Sequence, residues 1–110
     1  MQIEYKNNKI KKKLESSLAI KKAYGAMAIR VSQRMEQLKA APTLQDLISI
    51  KAANCHVLTG DRKGEWAVDL SGNYRLIFEI HHNPVPVKDD GSVNTILVTD
   101  ICILETTDYH

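Results

Sequence analysis

The architecture turns on the stretch GEWAVDLSGNYRLIFEI, residues 64–80. Trp66, Val68 and Leu70 alternate with Glu65, Ala67 and Asp69, and Tyr74, Leu76, Phe78 and Ile80 alternate with Arg75, Ile77 and Glu79. A period of two marks strands with one face on a core. Ser71-Gly72-Asn73 between the two runs is a hairpin signal, so residues 65–80 read as two antiparallel strands. Working outward, residues 81–94 (HHNPVPVKDDGSVN) are rich in Pro, Gly, Asp and Asn and read as a long loop. Thr95 to Leu104 is an almost unbroken apolar run, the pattern of a central strand buried on both faces.

On the other side of about Ala53 the period becomes helical. Gln2 to Tyr5 reads as a short first strand, and Asn7 and Asn8 are capping residues for a helix in which Ile10, Leu14 and Leu18 form one stripe. Tyr24, Met27, Ala28, Val31, Met35 and Leu38 form the stripe of a second helix, with Arg30, Arg34, Gln37 and Lys39 on its polar face. Pro42 stops it, and Thr43-Leu-Gln-Asp46 has the form of a capping box opening one short helical turn. The order strand, helices, antiparallel strands predicts an α+β fold, a helical layer on one curved antiparallel sheet.

Length and composition agree. The 110 residues and 12.4 kDa suit one domain, residues 1–110, with 44% hydrophobic and 25% charged residues. No apolar run approaches the roughly 20 residues of a membrane span. The opening MQIEYKNNKIKKK is too polar for a signal peptide. Cys55 and Cys102 are two isolated thiols, and the simplest setting is a reducing cytoplasm. The net charge of +2 is unevenly placed: residues 1–40 carry ten Lys and Arg against three acids, and residues 41–110 carry five against ten. A basic block of this kind is either a solvated helix face or a docking surface for a polyanion.

Three polar elements stand out in the strand-rich half: Cys55-His56 leading into the turn Gly60-Asp61-Arg62-Lys63-Gly64, then Gly72-Asn73-Tyr74-Arg75, and the closing Asp108-Tyr109-His110. Taken singly each has an ordinary structural reading: a core histidine, a solvated turn, a cross-strand ion pair, a frayed terminus. His81-His82 has no ligand-spaced Cys or His nearby and is not read as a metal site.

Taken together, the segments LTGDRKGEWAVDLSGNYRLIFEI (58–80) and LETTDYH (104–110) resemble the RelE superfamily, and within it the HigB-type plasmid maintenance killer toxins. That resemblance implies a RelE-like, microbial-RNase-type fold and an mRNA endoribonuclease working on translated message at the ribosome. Cleavage would proceed by attack of the substrate's 2′-hydroxyl, a route that requires no metal or cofactor. His56, Arg75, Asp108, Tyr109 and His110 match the family's catalytic positions. Arg75 would stabilise the phosphorane, His56 and His110 would exchange protons, Asp108 would tune a histidine, and Tyr109 would stack on a base or bond the phosphate. Lys9, Lys11, Lys12, Lys13, Lys21 and Lys22 would supply salt-sensitive attraction to ribosomal RNA, joined by Arg62, Lys63 and the Tyr74 platform. The expected partners are mRNA, the ribosome, a cognate antitoxin with a helix-turn-helix, and operator DNA through the toxin–antitoxin complex. Three departures from the pattern are Thr59 where many relatives have Lys, Tyr74 where Trp is common, and a longer 81–94 loop. The resemblance also admits two other readings: a catalytically weak antitoxin-binding co-repressor, and a ParE-like gyrase inhibitor.

Overall fold

A computed structural model describes residues 1–108. The strands are β1 (Gln2–Tyr5), β2 (His56–Val57), β3 (Glu65–Ser71), β4 (Tyr74–Ile80) and β5 (Asp100–Asp108). The helices are α1 (Asn8–Leu14), α2 (Ser17–Tyr24), α3 (Ala28–Ala40) and α4 (Leu44–Ile48). The strands form one sheet in the order β1-β5-β4-β3-β2. The hairpin is where the period of two put it, with Trp66 opposite Phe78 and Val68 opposite Leu76. The antiparallel expectation holds for β2–β3, β3–β4 and β4–β5, whereas β1 lies parallel to β5 with Ile3 opposite Ile101. The first strand therefore makes the sheet mixed, because the chain crosses the whole helical layer before it returns.

One face of the sheet carries the main core. Trp66, Val68, Leu70, Leu76, Phe78, Ile101 and Ile103 pack against Ile10, Leu14, Ile20, Val31, Met35, Leu38, Leu44 and Leu47. Each large apolar side chain taken fully from water contributes about 1.5–3 kcal/mol. Across the layers, the Tyr24 hydroxyl lies 2.9 Å from Thr106 Oγ1. Among the described residues the opposite face has no helix on it and holds a small apolar patch, Leu58, Ala67 and Ile77 with Leu104.

Four local readings need correction. Leu18 is 76% exposed, because Ser16 accepts a hydrogen bond from the Ala19 amide and starts α2 in a new phase. The stripe from Tyr24 to Leu38 is interrupted by the 3₁₀ turn Gly25–Met27, where Gly25 takes φ +52°, so Tyr24 closes one helix and Val31 belongs to the next. Arg34, assigned to the polar face of that stripe, is 3% exposed. Thr95 to Leu97 is a 3₁₀ turn and the central strand begins only at Asp100, with Ile96 and Leu97 exposed. The Asn7 cap, the Thr43–Asp46 capping box and the end of α3 before Pro42 all hold.

Candidate active site on the open sheet face

The helix-free face is built by alternate residues of β2 to β5. Pairing puts His56 opposite Ala67, Ala67 opposite Ile77, Asp69 opposite Arg75, and Arg75 opposite Thr107. His56 and Arg75 therefore share one face. Between them runs a continuous chain of hydrogen bonds. His56 Nδ1 donates to the Asn54 carbonyl at 2.7 Å, Asn54 Nδ2 donates to Asp69 Oδ2 at 2.9 Å, and Arg75 Nε donates to Asp69 Oδ1 at 3.1 Å. Asn54 makes two of these contacts by turning through a left-handed conformation, φ +46°, ψ +50°, which Asn tolerates better than most residues.

This chain has a chemical consequence. A carbonyl only accepts, so the His56 nitrogen facing Asn54 carries the proton. In the neutral imidazole Nε2 is then left with its lone pair, the form a general base requires. The Asp69 carboxylate engages the Nε edge of Arg75, which orients the guanidinium relative to the imidazole.

The Gly60–Arg62 turn is anchored differently. Arg62 pairs with Glu65 and with Glu105 (2.8 Å), tying the turn to β3 and β5. Its hydrogen bond to Glu105, and then that to Glu65, hold its charged form more firmly than usual. Arg62 is thus a strut of the turn, while Lys63, exposed after it, has no such pairing among the described residues. Thr59 is exposed at the start of the same turn. Beside the turn lies a largely apolar groove of about 580 Å³ lined by Val57, Leu58, Trp66, Ile80, Val85 and Val93 with Lys63 and Glu79 at polar positions, and towards β1 a neighbouring groove gathers Glu4, Glu65 and Glu79 with Lys6 and His81.

The remaining predicted residues are dispersed. Tyr74 stands on the other side of β4, half-buried against the main core, and Asp108 occupies the register position opposite it. Tyr109 and His110 lie outside the described residues. Lys9 and Lys13 line a shallow groove between α1 and β5, beside Glu105 and Thr106. Lys11 borders β1, and Lys21 and Lys22 are exposed on α2. Among the described residues no three His, Cys, Asp or Glu side chains cluster closely enough to hold a metal ion. Asn54 and Asp69 were not foreseen. Asp69 was readable as a partner, since the hairpin register sets it directly across from Arg75.

A family model, the RelE-like toxin of the type II toxin–antitoxin system HigB, matches residues 3–90. The match includes Asn54, His56, Asp69 and Arg75 and stops before β5. Among solved structures, a YoeB/ParE toxin from Agrobacterium tumefaciens is similar over 100% of both chains, with a TM-score of 0.55 and 10% sequence identity. At that identity the likeness is one of fold. No curated protein sequence matches the chain.

Proposed function

The chain belongs to the HigB-like family of RelE-like type II toxins, and we propose that it acts as an endoribonuclease on mRNA in translation. A type II toxin has a cognate antitoxin, and here that partner is proposed to be a helix-turn-helix protein that also carries the complex to operator DNA. The working place is the cytoplasm; no helix among the described residues is long and apolar enough to cross a membrane.

The observation that carries the reading is the hydrogen-bonded chain that links His56, through Asn54 and Asp69, to an oriented Arg75 on the same sheet face. In the proposed reaction His56 Nε2 takes the proton of a ribose 2′-hydroxyl. The 2′-oxygen attacks the adjacent phosphorus, Arg75 offsets the charge gathering on the phosphoryl oxygens, and the 5′-oxygen leaves with a proton. The products are a 2′,3′-cyclic phosphate and a 5′-hydroxyl. His110 is the proposed donor of the second proton, with Asp108 tuning it and Tyr109 against the substrate. With Arg62 held by Glu65 and Glu105, the exposed Lys63 is the proposed substitute for the cation that Thr59 lacks. Lys9 and Lys13, with Lys11, Lys12, Lys21 and Lys22, supply the ribosomal attraction.

Mapping transcript ends after brief induction tests this reading. Cuts in frame with codons, bearing cyclic phosphate ends, are expected from the wild-type chain. His56→Ala and Arg75→Ala should each slow cleavage roughly 10²–10⁴-fold. Intact messages together with failing DNA supercoiling would move the protein to gyrase inhibition instead.

A further inference from the structure

Arg34 is a buried charged residue that the reaction above does not use. It stands at 3% exposure on α3, on the side of the sheet away from His56 and Arg75. Burial lowers the pKa of its guanidinium, yet no arginine deprotonates in a folded protein near neutral pH. Each of its three guanidinium nitrogens donates: Nε to the Asp69 carbonyl at 2.7 Å, Nη2 to the Ala52 carbonyl at 2.6 Å, and Nη1 to Gln37 Oε1 at 3.3 Å. A buried cation is a poor source of net stability compared with a well-packed apolar side chain. What it does offer is geometry, because a rigid planar fork fixes two acceptors relative to each other.

The two carbonyls it fixes belong to the two arms of the site. Ala52 lies two residues before Asn54, whose carbonyl accepts the hydrogen bond from His56 Nδ1, and Asp69 is the residue that holds Arg75. On the open face the same arms are joined a second time, by Asn54 Nδ2 on Asp69. We propose that Arg34 is a positioning residue, clamping Ala52 and Asp69 from behind the sheet so that His56 and Arg75 keep a fixed separation. This proposal rests on the nuclease reading of those two residues. Lys cannot replace Arg here, since a single ammonium group has no fork with which to span both carbonyls in one plane.

The test uses Arg34→Lys and the milder Gln37→Leu, which removes only the third acceptor. Single-turnover cleavage of ribosome-bound mRNA is measured against pH, alongside thermal melting and imidazole nitrogen NMR of His56. Arg34→Lys is expected to cut roughly 10–100-fold more slowly, as sub-ångström to 1 Å misplacement of reacting groups does. Its KM should hold, the acidic limb of its pH profile should move, and the His56 ring should lose its single tautomer. Gln37→Leu should shift the same readouts in the same direction by less, which keeps the proposal testable if Arg34→Lys folds poorly. In a His56→Ala background, Arg34→Lys should add less than it costs in the wild-type chain, because a fixed separation no longer counts once one of the two groups is gone. Wild-type rates, pH profiles and imidazole signals in both variants overturn the proposal, as does a rate that falls only with the folded fraction. His56→Ala and Arg75→Ala, run in parallel, separate the two ideas. If they cleave normally the nuclease reading itself fails, and if they are dead while the Arg34 and Gln37 variants are normal only the clamp falls.

Discussion

Asp69 shows how differently one residue can weigh on stability and on chemistry. Its ion pair with Arg75 is partly solvated, with side-chain exposures of 31% and 23%. Such a pair contributes about 0–1 kcal/mol to folding. The same carboxylate sets the direction of the Arg75 guanidinium and holds Asn54 against His56. Asp69→Ala should therefore leave the thermal midpoint nearly unchanged and lower cleavage roughly 10-fold or more, a split that melting curves and rate measurements on one preparation will reveal. Cys55 makes a second residue-scale prediction. Burial pushes its thiol up to about 12, whereas in the unfolded chain it ionises near the ordinary thiol value of 9.0. Below the unfolded value this group makes no pH-dependent demand; as pH climbs from 9 towards 12 the unfolded state sheds a proton that the native state keeps, so stability falls. Alkylation of Cys55 at pH 8 should be slow in the native protein and fast in denaturant. At this scale His56 and Arg75 were legible as types of side chain in a motif, but Arg34 was misread. The spacing Val31, Arg34, Met35, Leu38 put it on the buried stripe, and only its charge argued for the surface.

Among the elements, the strands were easier to read than the helices. A period of two survives as long as the strand does, and the 65–80 hairpin had no competing pattern. The helical stripe from Ile10 to Leu18 failed because a helix carries its phase only until its cap. Ser16 restarts the count, and Leu14 and Leu18, equivalent by spacing, end up 0% and 76% exposed. Leu14→Ala should cost about 2–5 kcal/mol by urea titration, and Leu18→Ala should stay within about 0.5 kcal/mol. The apolar run from Thr95 misled for a related reason, since composition alone does not distinguish a strand from the turn that leads into it. Helix α1 carries its own prediction. Lys11, Lys12 and Lys13 are all exposed in its last turn. Their joint replacement by Glu should weaken ribosome binding in sedimentation and flatten its dependence on salt; unchanged affinity would remove α1 from the docking surface.

For the molecule as a whole, the separation of charge seen along the chain becomes a separation in space. The basic first forty residues form the helical layer and the β1 edge, and the acidic remainder supplies most of the sheet, including the Glu65, Glu79 and Glu105 side of the open face. The fold class was legible because the change of period near Ala53 divides helices from strands. The parallel seat of β1 was not, because nothing local in Gln2–Tyr5 names its neighbour. That seat has a consequence for the order of assembly. β5 lies between β1 and β4, and it is the last of the described strands in chain order. During synthesis β1 therefore waits, unzipped, until β5 has emerged, and Thr107, the register partner of Arg75, arrives with that same strand. Until β5 pairs, the two edges it joins, β1 on one side and the Arg75 flank of β4 on the other, each lack a hydrogen-bonded neighbour.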